Sequence, residues 1–186
     1  KLISFAQLSA YQFNSDGKII EVEVASSLSH SNLCGFVDAG TLIHSGQQFA
    51  YIVTDFISGE TVAQKMGREE TLTVYEAKQI AKCVLSALDF LHSQERPIIH
   101  NEVSLQNTMI DLNSDTLNAK LIDFGHARFL DLPPSTEDLG HVNPFYLAPE
   151  RFNGVCSVHS DLYSVGVMIY QMIFGMLPWF IDLSKY

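Results

Sequence analysis

The chain has 186 residues, a length typical of one domain with a sizeable core. Hydrophobic residues make up 47% and charged residues 17%, which excludes the polar, highly charged composition of a disordered chain. The net charge of −10 argues against binding to nucleic acid, because phosphate backbones are bound by clustered Lys and Arg side chains.

The three cysteines are widely spaced and form no C-x-x-C pair, which predicts reduced thiols and a cytoplasmic protein. Residues 165–181 form an apolar run that is interrupted by glycine and proline. The run is shorter than the roughly 20 residues that a membrane span needs. We therefore predict a buried helix there and no membrane span.

The first segment of the chain allows two interpretations. Alternating apolar residues around Asp16-Gly17 favour a β-hairpin. Ile20, Val24 and Leu28, however, lie at the spacing of one helix face. The local pattern by itself favours the hairpin.

The next elements are clearer. Residues 36–44 and 48–57 flank Ser45-Gly46 and predict a pair of strands, after which Ser58-Gly59 ends the strand-rich half. From Thr73 the apolar period becomes helical, and Thr73 with Glu76 forms a capping box. The apolar stripe of this predicted helix consists of Ala77, Ile80, Ala81, Val84, Leu88 and Leu91.

In the second half, residues 108–112 and 119–122 predict two short strands. A long irregular stretch follows from Gly125 to about Pro149, and loops of that length are usually functional. A hydrophobic helix begins near Asp161. Strands first and helices afterwards predict an α+β fold with two lobes.

Three short motifs stand in order along this half. His100–Asn107 precedes one predicted strand, Asp123-Phe124-Gly125 follows the next, and Ala148-Pro149-Glu150 ends the long loop. Together they resemble the protein kinase family, whose signature is a His-Arg-Asp loop ending in Asn, then Asp-Phe-Gly, then Ala-Pro-Glu. The resemblance implies one kinase domain over residues 1–186, with a strand-rich N-lobe in 1–57 and a helical C-lobe in 58–186.

The resemblance extends to the first half. Residues 51–56 look like the last N-lobe strand running into the hinge, with Thr54 at the gatekeeper position. Glu21 lies nine residues before His30-Ser31-Asn32-Leu33, similar to the glutamate of the family's αC helix, and this overrules the hairpin. Lys1, twenty residues earlier, falls where the ATP-contacting lysine belongs. The family's glycine-rich loop would then precede Lys1 and its last helices would follow Tyr186, so we expect a fragment with both lobes incomplete and little activity alone.

ATP and Mg²⁺ are the cofactors that the resemblance implies. Asp123 and Asn107 are the expected metal ligands, since Mg²⁺ prefers oxygen donors. Lys1 would hold the α- and β-phosphates through an ion pair with Glu21, for which Glu23 is a rival. The remaining cofactor-binding positions implied are Thr54, Asp55, Ile57 and Met109. Each motif residue also has a purely structural reading, since Asp before Gly forms turns and Asn before a strand caps loops.

Several residues depart from the family pattern. Glu102 stands at the catalytic Asp position; it can accept a hydroxyl proton, but its extra methylene shifts the carboxylate by about 1 Å, which can cost on the order of 10²-fold. Ser104 replaces the usual Lys and removes a charge that would stabilise the transferring phosphoryl group. Asn143 replaces a Thr and keeps a hydrogen-bonding side chain. His100 is expected to be structural, in a hydrophobic spine with Phe36 and Phe124.

Asn101 replaces the Arg that receives an activation-loop phosphate in many relatives, and an amide cannot supply that charged pair. We therefore predict that phosphorylation of Ser135 or Thr136 does not activate the protein through this route. If the intact protein with both residues mutated to Ala loses activity that a phosphomimetic restores, this prediction is wrong.

Three functions remain open at this stage. The first is an ATP- and Mg²⁺-dependent Ser/Thr protein kinase acting on protein substrates. The second is a pseudokinase that binds nucleotide or signalling partners without efficient transfer, supported by Glu102 and Ser104. The third is a small-molecule kinase of the aminoglycoside or choline type, against which the segment ending in Ala148-Pro149-Glu150 argues. The oligomeric state is not predicted.

Overall fold

The computed structural model describes residues 1–114, 116–133, 139 and 142–179. Its strands are β1 Leu2–Ser4, β2 Phe36–His44, β3 Gln47–Thr54, β4 Gly59–Thr61, β5 Ile98–Ile99, β6 Thr108–Asp111, β7 Asn118–Leu121 and β8 Arg128–Phe129. Its α-helices are α1 Ile20–Ser27, α2 Val62–Glu69, α3 Val74–His92 and α4 Val158–Phe174. Short 3₁₀ helices occupy Phe5–Gln7, Ala10–Gln12, Pro144–Tyr146 and Pro149–Asn153.

The first sheet has the order β1-β3-β2 and is antiparallel throughout. Its hairpin turns at Ser45-Gly46, where both residues have positive φ, as a tight two-residue turn requires. The predicted pair of strands is confirmed, although β3 ends at Thr54 rather than at residue 57.

The hairpin favoured by the local pattern around Asp16-Gly17 is wrong, and the helix is confirmed as α1. The turn itself exists, because Gly17 N–H donates to the Asn14 carbonyl at 3.0 Å. It leads only to a single bridge between Phe13 and Ile19. The helix is favoured because it buries Ile20 and Val24 in the core.

Two further sheets, β4-β6-β7 and β5-β8, lie in the second part of the chain. The strand-rich half does not end at Gly59, because this residue opens β4 opposite Asp111. A Cβ atom on Gly59 would lie 1.8 Å from the Ile110 carbonyl oxygen, so only glycine allows this pairing. The predicted short strands are confirmed as β6 and β7. Strand β6 ends one residue earlier than predicted, and β7 begins and ends one residue earlier.

The core is built around α3 and α4. All six residues of the predicted apolar stripe of α3 are buried. Helix α4 begins after the N-cap Ser157 and ends before Gly175, whose φ of 70° forms a left-handed cap. The apolar run at 165–181 is therefore helical only as far as Phe174 among the described residues. In the part of the chain that the structure describes, no helix is both long and apolar enough to cross a bilayer.

The segment after α1 is joined to β7 through buried polar contacts. Asn32 donates through Nδ2 to the Ala119 carbonyl at 2.9 Å and to Asn118 Oδ1 at 2.8 Å. The backbone of Leu121 bonds on both sides of Leu33, to the Asn32 carbonyl and from the Cys34 N–H. These contacts place α1 and the first sheet beside the end of β7, where the Asp-Phe-Gly motif begins.

Candidate active site

A lysine and two carboxylates from three separate parts of the chain meet at one point. Lys1 Nζ lies 2.7 Å from Glu21 Oε1 and 2.7 Å from Asp123 Oδ1. The backbone of Lys1 is fixed to β3, since Ile52 N–H donates to the Lys1 carbonyl at 3.0 Å. Glu21 is on α1, and Asp123 follows β7. The fold thus gathers residues 1, 21 and 123 into one ion cluster.

Glu23, the rival of Glu21, has other partners. Its carboxylate accepts from Asn14 Nδ2 at 2.6 Å and lies 3.6 Å from Arg96 Nη1. The geometry therefore assigns the ion pair with Lys1 to Glu21.

The charges of the cluster act on each other. Burial would lower the pKa of Lys1, but the carboxylates of Glu21 and Asp123 outweigh it and hold the pKa above its ordinary value. Burial would raise the pKa of Asp123, yet the charge of Lys1 keeps it below the ordinary value. For Glu21 burial dominates, so its pKa is raised. Asp123 is thus the carboxylate of the cluster that the surroundings hold ionised.

The backbone after β7 allows Lys1 and Asp123 to approach each other closely. Asp123 has a φ of 61°, and its Oδ1 accepts from Gly125 N–H at 3.0 Å. A Cβ atom on Gly125 would lie 2.9 Å from Lys1 Nζ and 3.1 Å from Asp123 Oδ1. Glycine at this position lets the lysine and the carboxylate meet.

The ion cluster stands at the wall of a cavity of about 320 Å³. This volume is at the lower end of the range for small-molecule sites. The seven residues predicted to contact the cofactor all line it: Lys1, Glu21, Thr54, Asp55, Ile57, Met109 and Asp123. Much of the remaining wall is apolar, from Ala25, Ile52, Phe56, Ile122 and Phe124. Such a cavity suits a ligand with a flat apolar part and an anionic end.

Sequence reasoning missed Cys34 in this wall. Its thiol donates to the Asp55 carbonyl at 3.6 Å, and burial raises the pKa of the thiol. The only available signal was its position directly after His30–Leu33, a segment that precedes the first predicted strand pair.

The loop that begins at His100 is held by hydrogen bonds to α4. Asp161, which is 1% exposed, accepts from the backbone N–H groups of His100 and Asn101, each at 2.9 Å. Its Oδ2 also lies 2.9 Å from His92 Nε2. His100 is fully buried, and its ring centroid lies 5.6 Å from that of Phe124. Burial lowers the pKa of His100, so its side chain is neutral and serves packing.

Glu102 and Asn107 lie beside the cavity rather than in its wall. Asn107 Nδ2 donates to the Glu102 carbonyl at 3.0 Å, and the Asn107 carbonyl accepts from Ile122 N–H at 2.9 Å. The second bond sets residue 107 next to the start of the Asp-Phe-Gly motif. Burial raises the pKa of Glu102, opposed by hydrogen bonds from the Asn107 side chain and the Asn143 N–H.

Two of the departures from the family pattern have structural roles. Ser104 is buried, and its Oγ accepts from Asn107 N–H at 3.2 Å, which shapes the loop. Asn143 caps the 3₁₀ helix Pro144–Tyr146, where its Oδ1 accepts from Phe145 N–H at 3.1 Å. Phe36, the third predicted spine residue, is partly buried against the core.

The Ala148-Pro149-Glu150 segment is anchored to α4. Glu150 Oε1 accepts from Ser160 Oγ at 2.7 Å, and the Tyr146 carbonyl accepts from Ser164 Oγ at 2.7 Å. Ser135 and Thr136, the predicted phosphorylation positions, lie outside the described residues.

Comparison with known proteins shows the family of the chain. The sequence matches the family model described as "Protein kinase domain" over residues 7–185. The chain belongs to the protein kinase family. The α+β fold with a strand-rich N-lobe and a helical C-lobe is the fold of that kinase domain, as the motifs implied.

The relatives of this kinase domain include Ser/Thr kinases. It is 33% identical to "Probable serine/threonine-protein kinase PknB" of Lactococcus lactis, over 86% of this chain and 24% of that protein. It is 31% identical to "Serine/threonine-protein kinase pkn3" of Myxococcus xanthus, over 86% of this chain and 29% of that protein. The chain thus spans between about a quarter and a third of the length of these relatives.

Proposed function

We propose that this kinase domain binds ATP with Mg²⁺ and transfers the γ-phosphoryl group to Ser or Thr hydroxyls of protein substrates. The observation that carries the proposal is the Lys1–Glu21–Asp123 cluster at the wall of the 320 Å³ cavity. Phosphoryl transfer depends on positioning and on neutralising phosphate charge, and a cluster of this kind serves both.

The residues present fit these ligands. The apolar wall of the cavity suits an adenine ring, and the ammonium group of Lys1 suits the α- and β-phosphates. Asp123 is held ionised, and Asn107 uses its amide N–H on the Glu102 carbonyl, which leaves its acceptor oxygen for a cation. These two side chains would hold Mg²⁺, which supplies neutralisation of phosphate charge when bound.

Glu102 is the proposed proton acceptor for the substrate hydroxyl. Its carboxylate must be ionised for this, and burial works against ionisation. The hydrogen bonds from Asn107 and Asn143 oppose the effect of burial and orient the group. Catalysis slower than with an Asp at this position follows from the extra methylene.

A pseudokinase is the second candidate. Ser104 has no charge with which to stabilise the transferring phosphoryl group, and it is buried and bonded within its own loop. Together with the raised pKa of Glu102, this favours nucleotide binding without efficient transfer. Such a domain would act by docking to a signalling partner.

The test uses the intact protein that contains this kinase domain, with ATP and MgCl₂. We expect ATP with Mg²⁺ to raise Tm and ³²P to be transferred to a generic protein substrate. Asp123→Asn should abolish both effects, whereas Asp16→Asn, an exposed control, should change neither. Glu102→Asp should increase the transfer rate by about tenfold or more.

The outcomes separate the candidates. A rise in Tm without transfer, not repaired by Glu102→Asp, would favour the pseudokinase. Transfer to an aminoglycoside or to choline but not to protein would favour the small-molecule kinase. No rise in Tm with ATP and Mg²⁺ would overturn nucleotide binding altogether.

A further inference from the structure

His126, directly after the Asp-Phe-Gly motif, meets the two residues at which the catalytic loop departs most from the family pattern. Its Nε2 lies 3.9 Å from Glu102 Oε2. Its carbonyl accepts from Asn101 Nδ2 at 3.0 Å. The side chains of His126 and Glu102 are 17% and 20% exposed, so water screens this pair only in part. A backbone hydrogen bond and a side-chain contact thus join His126 to the loop.

The backbone contact depends on the residue type at position 101. Asn101 has a φ of 65°, a left-handed conformation that Asn adopts more readily than most residues. Its backbone N–H donates to Asp161, which fixes the loop to α4, while its side chain donates to the His126 carbonyl. Ala127 N–H donates to the Phe124 carbonyl at 3.0 Å and closes a turn around His126. The position of His126 is therefore set from both sides.

The side-chain contact matters because of the length of Glu102. A Glu side chain has one more rotatable bond than Asp, so its carboxylate needs more contacts to be held in one place. The Asn107 side chain and the Asn143 N–H supply two of them. His126 Nε2 lies 3.9 Å from Glu102 Oε2, and at this distance a protonated imidazole attracts the carboxylate.

We propose that His126 is a positioning residue that orients the Glu102 carboxylate toward the substrate hydroxyl, with Asn101 holding the His126 backbone in place. This rests on the proposed transfer function. It explains why Glu rather than Asp is workable in this loop, since the longer side chain reaches a partner in the Asp-Phe-Gly segment.

The contact itself is tested first, by a measurement that needs no activity. Unfolding of the chain is followed for wild type, His126→Ala, Glu102→Gln and the double variant. If the two side chains interact, the effects on Tm are not additive, and we expect a deviation of about 2 °C or more. His44→Ala, an exposed histidine on β2, is the matched control and should be additive with Glu102→Gln. Additive effects of His126→Ala would overturn the proposal whatever the activity.

Orientation is tested next, by steady-state transfer of ³²P to a generic protein substrate. We expect His126→Ala to lower kcat by about tenfold while KM for ATP stays within about twofold. His126→Gln, which retains a hydrogen-bond donor, should recover part of the loss. In the Glu102→Asp background the shorter side chain no longer reaches residue 126, so His126→Ala should change kcat by less than about twofold.

Failure of this proposal differs from failure of the proposed function. Equal losses of kcat in the Glu102 and Glu102→Asp backgrounds would show that His126 does not act through the carboxylate, which overturns the proposal. A raised KM for ATP with unchanged kcat would overturn it as well. An intact wild-type protein that binds ATP but transfers no phosphate would overturn the transfer function, while the additivity of the Tm effects still decides whether His126 fixes Glu102.

Discussion

At the scale of single residues, the two acids of the site are placed in opposite environments. Asp123 contacts Lys1, which keeps its pKa below the ordinary value. For Glu102 burial is the largest influence, and it raises the pKa. Under the proposed function, these opposite shifts fit two different tasks, with Asp123 as an ionised metal ligand and Glu102 as the group that accepts a proton.

A pH dependence follows from the raised pKa of Glu102. If Glu102 accepts the hydroxyl proton, kcat is full above its pKa and falls as the pH drops through that value, because the protonated acid cannot accept a proton. The acidic limb of kcat should therefore lie above pH 4.5, the ordinary value for glutamate. The measurement is kcat against pH at saturating ATP and Mg²⁺.

Glu102→Gln should remove this limb together with most of the activity. A circular dichroism spectrum at each pH shows that the chain remains folded. A limb at or below pH 4.5 in the folded range would show that Glu102 is not the titrating group.

At the scale of elements, the N-terminus of α3 is stabilised by the capping box that the sequence predicted. Thr73 Oγ1 accepts from Glu76 N–H at 3.2 Å, and Glu76 Oε2 accepts from Thr73 N–H at 3.0 Å. Removing an N-cap of this type costs about 1 kcal/mol. Thr73→Ala should thus lower Tm by about 2–4 °C, measured by calorimetry.

The cap supports the core and has no contact with the cavity, so the rise in Tm caused by ATP and Mg²⁺ should be the same in Thr73→Ala as in wild type. Thr116→Ala, an exposed change outside any helix, should leave Tm nearly unchanged. A Thr73→Ala variant as stable as wild type would mean that the helix start is held by tertiary packing rather than by its cap.

The elements also show what the sequence could and could not predict. Helix α3 was predictable because its cap and its apolar stripe are local signals. For α1 the local pattern pointed to a hairpin, since the burial of Val24 depends on distant residues. Helix α2 was not predicted: it has only eight residues, of which Val62 and Met66 are buried, and its capping box of Thr61 and Gln64 was the local signal that could have found it.

The candidate site likewise contains residues that the sequence could predict and residues that it could not. Seven of the residues that line the cavity were predicted through the resemblance to protein kinases, which the ordered motifs carry. Cys34 and His126 were not, since nothing near them in sequence indicates a neighbour at Asp55 or Glu102. The Cys34–Asp55 and His126–Glu102 contacts join residues that no motif links, so they appear only once the chain is folded.

At the scale of the whole molecule, Asp161 joins the helical core to the catalytic loop. The side chain comes from α4, and the two backbone N–H groups that it binds belong to His100 and Asn101. These residues are 61 and 60 positions away along the chain. The position of Glu102 therefore depends on a contact with a residue far away along the chain.

Asp161→Asn tests this dependence. The amide keeps one acceptor oxygen but loses the charge, so one buried N–H group loses its partner. Hydrogen bonds to a charged group contribute about 1.5–3 kcal/mol, and we expect the free energy of unfolding in urea to fall by about 2–4 kcal/mol. The rate of transfer should fall further than the folded fraction, because the loop that carries Glu102 is no longer held.

Two controls separate the contact from a general effect of charge. Asp131→Asn removes an exposed partner of Arg96 and should change stability by no more than about 0.5 kcal/mol. His92→Gln leaves both backbone contacts of Asp161 intact, so it should cost less than Asp161→Asn and preserve the transfer rate per folded molecule. Equal losses of transfer in His92→Gln and Asp161→Asn would show that the loop is held through His92, and the backbone bonds to Asp161 would then not be what positions Glu102.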